Sequence, residues 1–160
     1  MDIISTTHSI LAFLLASYGI LFRRSKFDYL ILIIIFSTLL SWTLYKGECP
    51  ISYYLKKYND PNYKLGSNLY SEDMFILFGE KYIPHLKFFY TFVSPLIQTI
   101  TLYLLLTRQK FNLLETLFYP ILYYAYYYIH LQTSIANLYF TFIFAFILYR
   151  IVLQFVKKSK

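Results

Sequence analysis

The chain has 160 residues and a formal net charge of +7; 58% of its residues are hydrophobic, 22% are aromatic and only 14% are charged. Soluble domains carry about 25% charged residues, and a chain this short cannot build a core large enough to hide helices that are apolar all round, so a soluble fold is excluded and lipid is the expected solvent. The positive excess sits beside apolar stretches and not along a polar face, which argues for the cationic anchors of a membrane protein and against a nucleic-acid surface.

Span one is expected over about residues 3–22. Asp2 precedes it and Arg23, Arg24 and Lys26 follow it. That order is the reverse of a secretory signal, so the reading is a retained span with its N-terminus outside. The link to span two, about residues 27–45, is so short that the two are expected to form a tight antiparallel hairpin. Trp42 and Tyr45 lie near its far end, where amphipathic rings favour the membrane interface. Residues 46–86 form one long polar loop punctuated by Gly47, Pro50, Pro61, Gly66 and Pro84. Within it, Ile51, Tyr54, Leu55 and Tyr58 recur at i, i+3, i+4 and i+7 and suggest a short interfacial helix. Residues 74–79 form a second apolar patch, too short to cross. Spans three, four and five follow at about residues 88–107, 113–131 and 138–156. The expected class is all-α: a single polytopic membrane domain over residues 1–160 with about five transmembrane helices.

Charge sets the threading. With the link after span one in the cytoplasm, Arg23, Arg24, Lys26, Arg108, Lys110, Arg150, Lys157, Lys158 and Lys160 share one face with only Asp28 and Glu115. The other face balances its six lysines with six acids. An outside N-terminus and a cytoplasmic C-terminus therefore satisfy the positive-inside rule. Spans one–two and four–five share no matching residues, which disfavours an inverted-repeat transporter.

Span four carries the sharpest polar pattern. Glu115, Tyr119, Tyr123, Tyr126 and His130 follow at +4, +4, +3 and +4 and fall on one helical stripe. Polar groups in lipid are costly unless they face protein or water, so the stripe is expected to face inward. Ser94, Gln98 and Thr101 on span three, together with Thr91, offer a complementary polar face, and the turn at 108–112 makes the two spans antiparallel neighbours. Pro95 and Pro120 interrupt the same two helices and are expected to kink them. Glu115 is placed to pair with Arg108 across the turn. His130, His85 and Glu80 approach one another in sequence depth, but their spacing matches no metal motif. No metal and no cofactor are expected. His8 is expected to hydrogen-bond a neighbouring helix. Cys49, the only cysteine, can form no internal disulfide, and with no histidine near it in sequence it carries no nucleophile signature. Lys157 and Lys158 stand fourth and third from the C-terminus and resemble the dilysine retrieval signal of endoplasmic-reticulum membrane proteins.

The function expected from these residues is a non-enzymatic membrane component that binds a lipid or a partner membrane protein through a polar groove between spans three and four. The alternatives are a small lipid-modifying membrane enzyme that uses Glu115 or His130, and a subunit of an oligomeric channel or carrier lined by the same stripe. Expected partners are membrane lipids, another membrane protein or a second copy of the chain, and no nucleic acid. The expected location is the endoplasmic reticulum in a eukaryote or a eukaryotic host, and otherwise the plasma membrane.

Overall fold

The computed structural model describes residues 3–69, 82–130 and 136–159, and the apolar patch at 74–79 and Glu80 lie outside them. Of the described residues 82% are helical, and none lies in a strand. Helices α1 (Ile3–Leu21), α2 (Asp28–Leu44), α3 (Pro50–Asn59), α4 (Ile83–Phe88), α5 (Ser94–Arg108), α6 (Leu113–His130) and α7 (Ala136–Ser159) follow in order. A π-helical turn, Phe89–Val93, joins α4 to α5 in one rod. That makes six helical rods among the described residues where five spans were expected. The sixth is α3, the short helix expected from Ile51, Tyr54, Leu55 and Tyr58; it starts because Pro50 at its first turn is preset for a helix and lacks only a donor that would go unused.

Among the described residues, three of these rods are long and apolar enough to cross a membrane: Ile3–Leu21, Pro84–Arg108 and Asn137–Lys158. The second begins inside the expected polar loop, with Pro84 in its first turn. Helix α2 is as apolar but has 17 residues, a rise of about 26 Å against a hydrocarbon thickness of about 30 Å. Helix α6 has 18 residues, but six are tyrosines, whose hydroxyls lower its hydropathy. Only 22–28% of each spanning stretch is buried against protein. The remaining apolar surface, such as Phe13, Leu14, Phe142 and Phe146, points outward, and this suits lipid and not water.

Helix α2 packs along α7, α1 along α5, and α5 along α6. The short link therefore does not make α1 and α2 packing partners, contrary to the expected hairpin. Helix α1 goes to α5 because it buries a run of small residues, Ser5, Ser9, Ala16, Ser17 and Gly19, that lets two backbones approach closely. Thr101 Oγ1 donates to Ala16 O at 2.6 Å. Arg108 donates to Gly19 O at 2.6 Å and to Phe22 O at 2.8 Å, closing the carbonyl end of α1. The core lies between α2, α5, α6 and α7, around Leu32, Phe36, Leu102, Leu105, Tyr123, Tyr126 and Phe144. Phe36 meets Tyr119 edge-on at 6.1 Å, and Tyr126 meets Phe144 edge-on at 5.1 Å, the arrangement ring quadrupoles favour.

One end of the bundle is tied by polar contacts. Asp28 is fully buried and accepts from Gln109 Nε2 at 2.9 Å and from Ser25 N at 3.2 Å. Asn112 Oδ1 caps α6 by accepting from Glu115 N at 2.8 Å. Lys158 Nζ donates to Gln109 O and stands 5.1 Å over the Tyr29 ring. These contacts bring the C-terminal ends of α1, α5 and α7 together with the N-terminal ends of α2 and α6. The basic residues grouped by charge in the sequence thus share one end of the molecule.

The π turn has a chemical cause. Pro95 has no N–H to give to the carbonyls of Thr91 or Tyr90, four and five residues before it. Tyr127 OH donates to Tyr90 O at 2.6 Å and Tyr128 OH to Thr91 O at 3.3 Å, supplying donors from the facing helix. These two tyrosines, off the polar stripe in the sequence, fasten α6 to α5. Tyr127→Phe is expected to lower stability by about 1 kcal/mol, and Tyr128→Phe by less. In a Pro95→Ala background, where a backbone donor returns, the Tyr127→Phe loss should shrink. Thermal unfolding of the four variants in detergent micelles checks this coupling; equal losses in both backgrounds would show that the hydroxyls do not replace the missing donor.

Candidate functional site

Because α1 leans on α5 and α2 on α7, the space between α1 and α2 is left partly unfilled at the end of the bundle opposite the basic residues. A cavity of about 320 Å³ occupies it, within the range of about 300–1,000 Å³ typical of small-molecule sites. Its apolar walls include Leu11, Leu15, Ile35, Leu39 and Ile51. A few polar groups interrupt them: His8, Thr38, Ser41, Cys49, Ser94, Gln98, Tyr123 and Tyr127. Thr38 and Ser41 spend their hydroxyl protons within α2, on Ile34 O and Thr38 O. Tyr123 OH donates to Gln98 Oε1 at 3.0 Å across the α5–α6 contact.

The floor of the cavity is built by the segment after α2. Lys46 and Gly47 take left-handed backbone (φ 53° and 87°) and turn the chain back. This places Glu48 inside the loop, fully buried. Its carboxylate accepts from Lys56 Nζ at 2.8 Å, Tyr63 OH at 2.8 Å and Gly66 N at 3.1 Å. Lys56 also donates to Asn68 O at 2.6 Å. The loop from 46 to 69 is thus ordered around one buried ion pair, and Gly66, also left-handed (φ 84°), brings its N–H to the carboxylate.

That loop sets Cys49 at the cap of α3, directly before Pro50. Its Sγ lies 3.3 Å from His8 Nε2 on α1. The pair joins residues 41 positions apart, so the histidine missing from the local sequence arrives through the fold. Burial opposes ionisation of Cys49, but the hydrogen bond and charge of His8 and the N–H groups of Ser52 and Ile51 outweigh it and leave the thiol below its ordinary value. The signal available in the sequence was weak: one cysteine and an early histidine, with nothing to say they meet.

The structure divides the stripe expected on span four. Glu115, Tyr119, Tyr123 and Tyr126 are all buried, but they do not line a single groove. Tyr123 faces the cavity with Ser94 and Gln98. Tyr126 OH points toward Asn137 Oδ1 at 3.4 Å. Tyr119 OH donates to Glu115 at 3.2 Å, and Glu115 is held by Arg150 at 2.7 Å. The expected Glu115–Arg108 pair does not form, because Arg108 is engaged by α1 and Arg150 approaches from α7. Thr101 serves the α1–α5 contact and does not line the cavity. The His130 side chain lies outside the described residues, as does Glu80, so the approach to His85 is not described. Among the described residues no group of three His, Cys, Asp or Glu is placed to hold a metal ion. Lys157 and Lys158 occupy the last turn of α7, and Lys158 is docked on the α5–α6 turn. A second hollow of about 570 Å³ lies on the outer side of α6 and α7, bounded by the exposed Leu114, Phe118, Phe142 and Phe146.

Comparison with known proteins finds no matching family model, no similar curated protein and no similar solved structure.

Proposed function

We propose that this chain is a five-span membrane protein that holds the apolar chain of a membrane lipid in the cavity bounded by α1, α2, α5 and α6. The observation that carries the reading is the cavity itself: aliphatic walls, a small number of polar groups, and a position between helices whose outer faces suit hydrocarbon. An apolar chain would fill the aliphatic walls, and Gln98, Tyr123 and His8 would meet its polar end. The groove expected between spans three and four becomes one wall of this larger site. The five-span threading is supported by the gathering of the basic residues at one end, with the shorter α2 packed along α7 and the tyrosine-rich α6 along α5.

The test is retention of lipid. Protein purified in a mild detergent is expected to carry a bound lipid, seen by native mass spectrometry and by extraction. Ser94→Phe and Ala12→Phe, which place a ring in the cavity from opposite walls, should lose most of it while remaining monodisperse. Wild-type protein free of lipid, or equal retention in both variants, would rule out this site. Tags at the two termini should label from opposite compartments if the threading is right.

A further inference from the structure

We propose that Cys49 is an acyl-accepting nucleophile, served by His8 as its acid–base partner, that takes a fatty acyl group from a membrane lipid ester lying in the cavity. This rests on the lipid-holding reading above and adds a reaction to it.

Three features of the geometry meet at one sulfur. His8 Nε2 stands 3.3 Å from Sγ, within reach for proton transfer. Cys49 is the capping residue of α3, and a helix start favours negative charge on its sulfur. Both side chains line the apolar cavity, so a lipid held there would lie beside the thiol. A cysteine kept only for packing sits in apolar surroundings that hold the proton on sulfur; this one has the partners that release it. The pair is also fixed from two sides. His8 sits on α1, which is fastened to α5, and Cys49 follows Glu48, the centre of the loop's buried ion pair.

The step is balanced by the lipid alone. His8 Nε2 takes the Sγ proton, and Sγ bonds to the ester carbonyl carbon. The carbonyl re-forms as the bond to the glycerol oxygen breaks, and the departing oxygen takes the proton from His8. The products are a thioester on Cys49 and a lysolipid alcohol, with no change of oxidation state. The site lies at the end opposite the basic face, so the lipid donor belongs to the non-cytoplasmic leaflet in the proposed threading. An acyl-coenzyme A thioester carries the same reactive carbonyl and is the other source to distinguish.

The experiment uses the full chain in vesicles of phosphatidylcholine with a radiolabelled acyl chain, and in parallel with labelled palmitoyl-coenzyme A. Hydroxylamine-labile label from phosphatidylcholine is expected on wild type and not on Cys49→Ala. His8→Ala should acylate about 100-fold more slowly or worse, the contribution typical of a positioned acid–base group. No label on wild type from either donor, label that persists in Cys49→Ala, or label from palmitoyl-coenzyme A alone overturns the proposal. A second readout does not depend on a lipid. Alkylation of Cys49 by iodoacetamide should reach half its maximal rate below pH about 8.5 in wild type, the value of a free thiol, and at higher pH in His8→Gln. Superimposable profiles overturn the role of His8. If wild type retains lipid but forms no thioester, this proposal fails and the lipid-holding reading stands. If neither lipid nor thioester is found, both fail.

Discussion

Glu48→Gln is expected to cost about 3–5 kcal/mol, the loss typical when one member of a buried ion pair is removed and the other charge stays behind. Glu48 is fully buried and the side chain of Lys56 is 15% exposed, so water can do little to replace the carboxylate. The same carboxylate also accepts from Tyr63 OH and Gly66 N, and these two donors would lose their charged acceptor together. The double variant Glu48→Gln with Lys56→Met should recover part of the loss, because it leaves no charge unpaired. Thermal unfolding in micelles reads the stability, and limited proteolysis between residues 60 and 69 reads the loop. A Glu48→Gln protein within about 1 kcal/mol of wild type would mean that the pair behaves as an exposed surface bridge. The variant should also slow alkylation of Cys49, since the neighbouring residue then loses its fixed distance to His8.

Gly19→Val should be the most damaging substitution in the spans themselves. A Cβ at position 19 would stand 2.8 Å from the carbonyl oxygen and 2.9 Å from the Cα of Thr101, both backbone atoms of α5. Backbone cannot swing aside as a side-chain tip does, so α1 must move off α5. Overpacking of this kind costs about 1–3 kcal/mol. The displacement would also stretch the Thr101 bond to Ala16 and the Arg108 bonds to Gly19 and Phe22, which raises the loss further. Gly19→Ala should show a smaller loss of the same kind. Leu14→Val, on the exposed face of α1, serves as the control and should be nearly neutral. If Gly19→Val and Leu14→Val melt together, the close approach of α1 and α5 does not stabilise the bundle.

Much of the polar stripe on α6 was legible as a buried feature, because tyrosine and glutamate at helical spacing have only one inexpensive place to point in lipid. What each member touches was not. Glu115 found Arg150 from 35 residues away and not Arg108 from across the turn. Tyr127 and Tyr128 fell outside the pattern, yet they satisfy carbonyls freed by a proline on another helix. The order of the loop was hidden for a related reason. Lysines and an acid in a polar segment look like solvated charge until Tyr63, Gly66 and Asn68 are seen to enclose Glu48 and Lys56.

The sequence by itself determined that the chain is helical, that its long apolar helices suit a membrane, and that its positive charge collects at one end. These follow from composition and from the order of charges along the chain, and no knowledge of neighbours is needed to read them. Only the tertiary structure decided which helices touch, where the cavity opens and that His8 meets Cys49. In water an amphipathic helix announces its buried face through its periodicity. A helix that is apolar on every side makes no such announcement. Its neighbours are chosen by close fit at small residues such as Gly19 and by single hydrogen bonds between residues far apart in the chain.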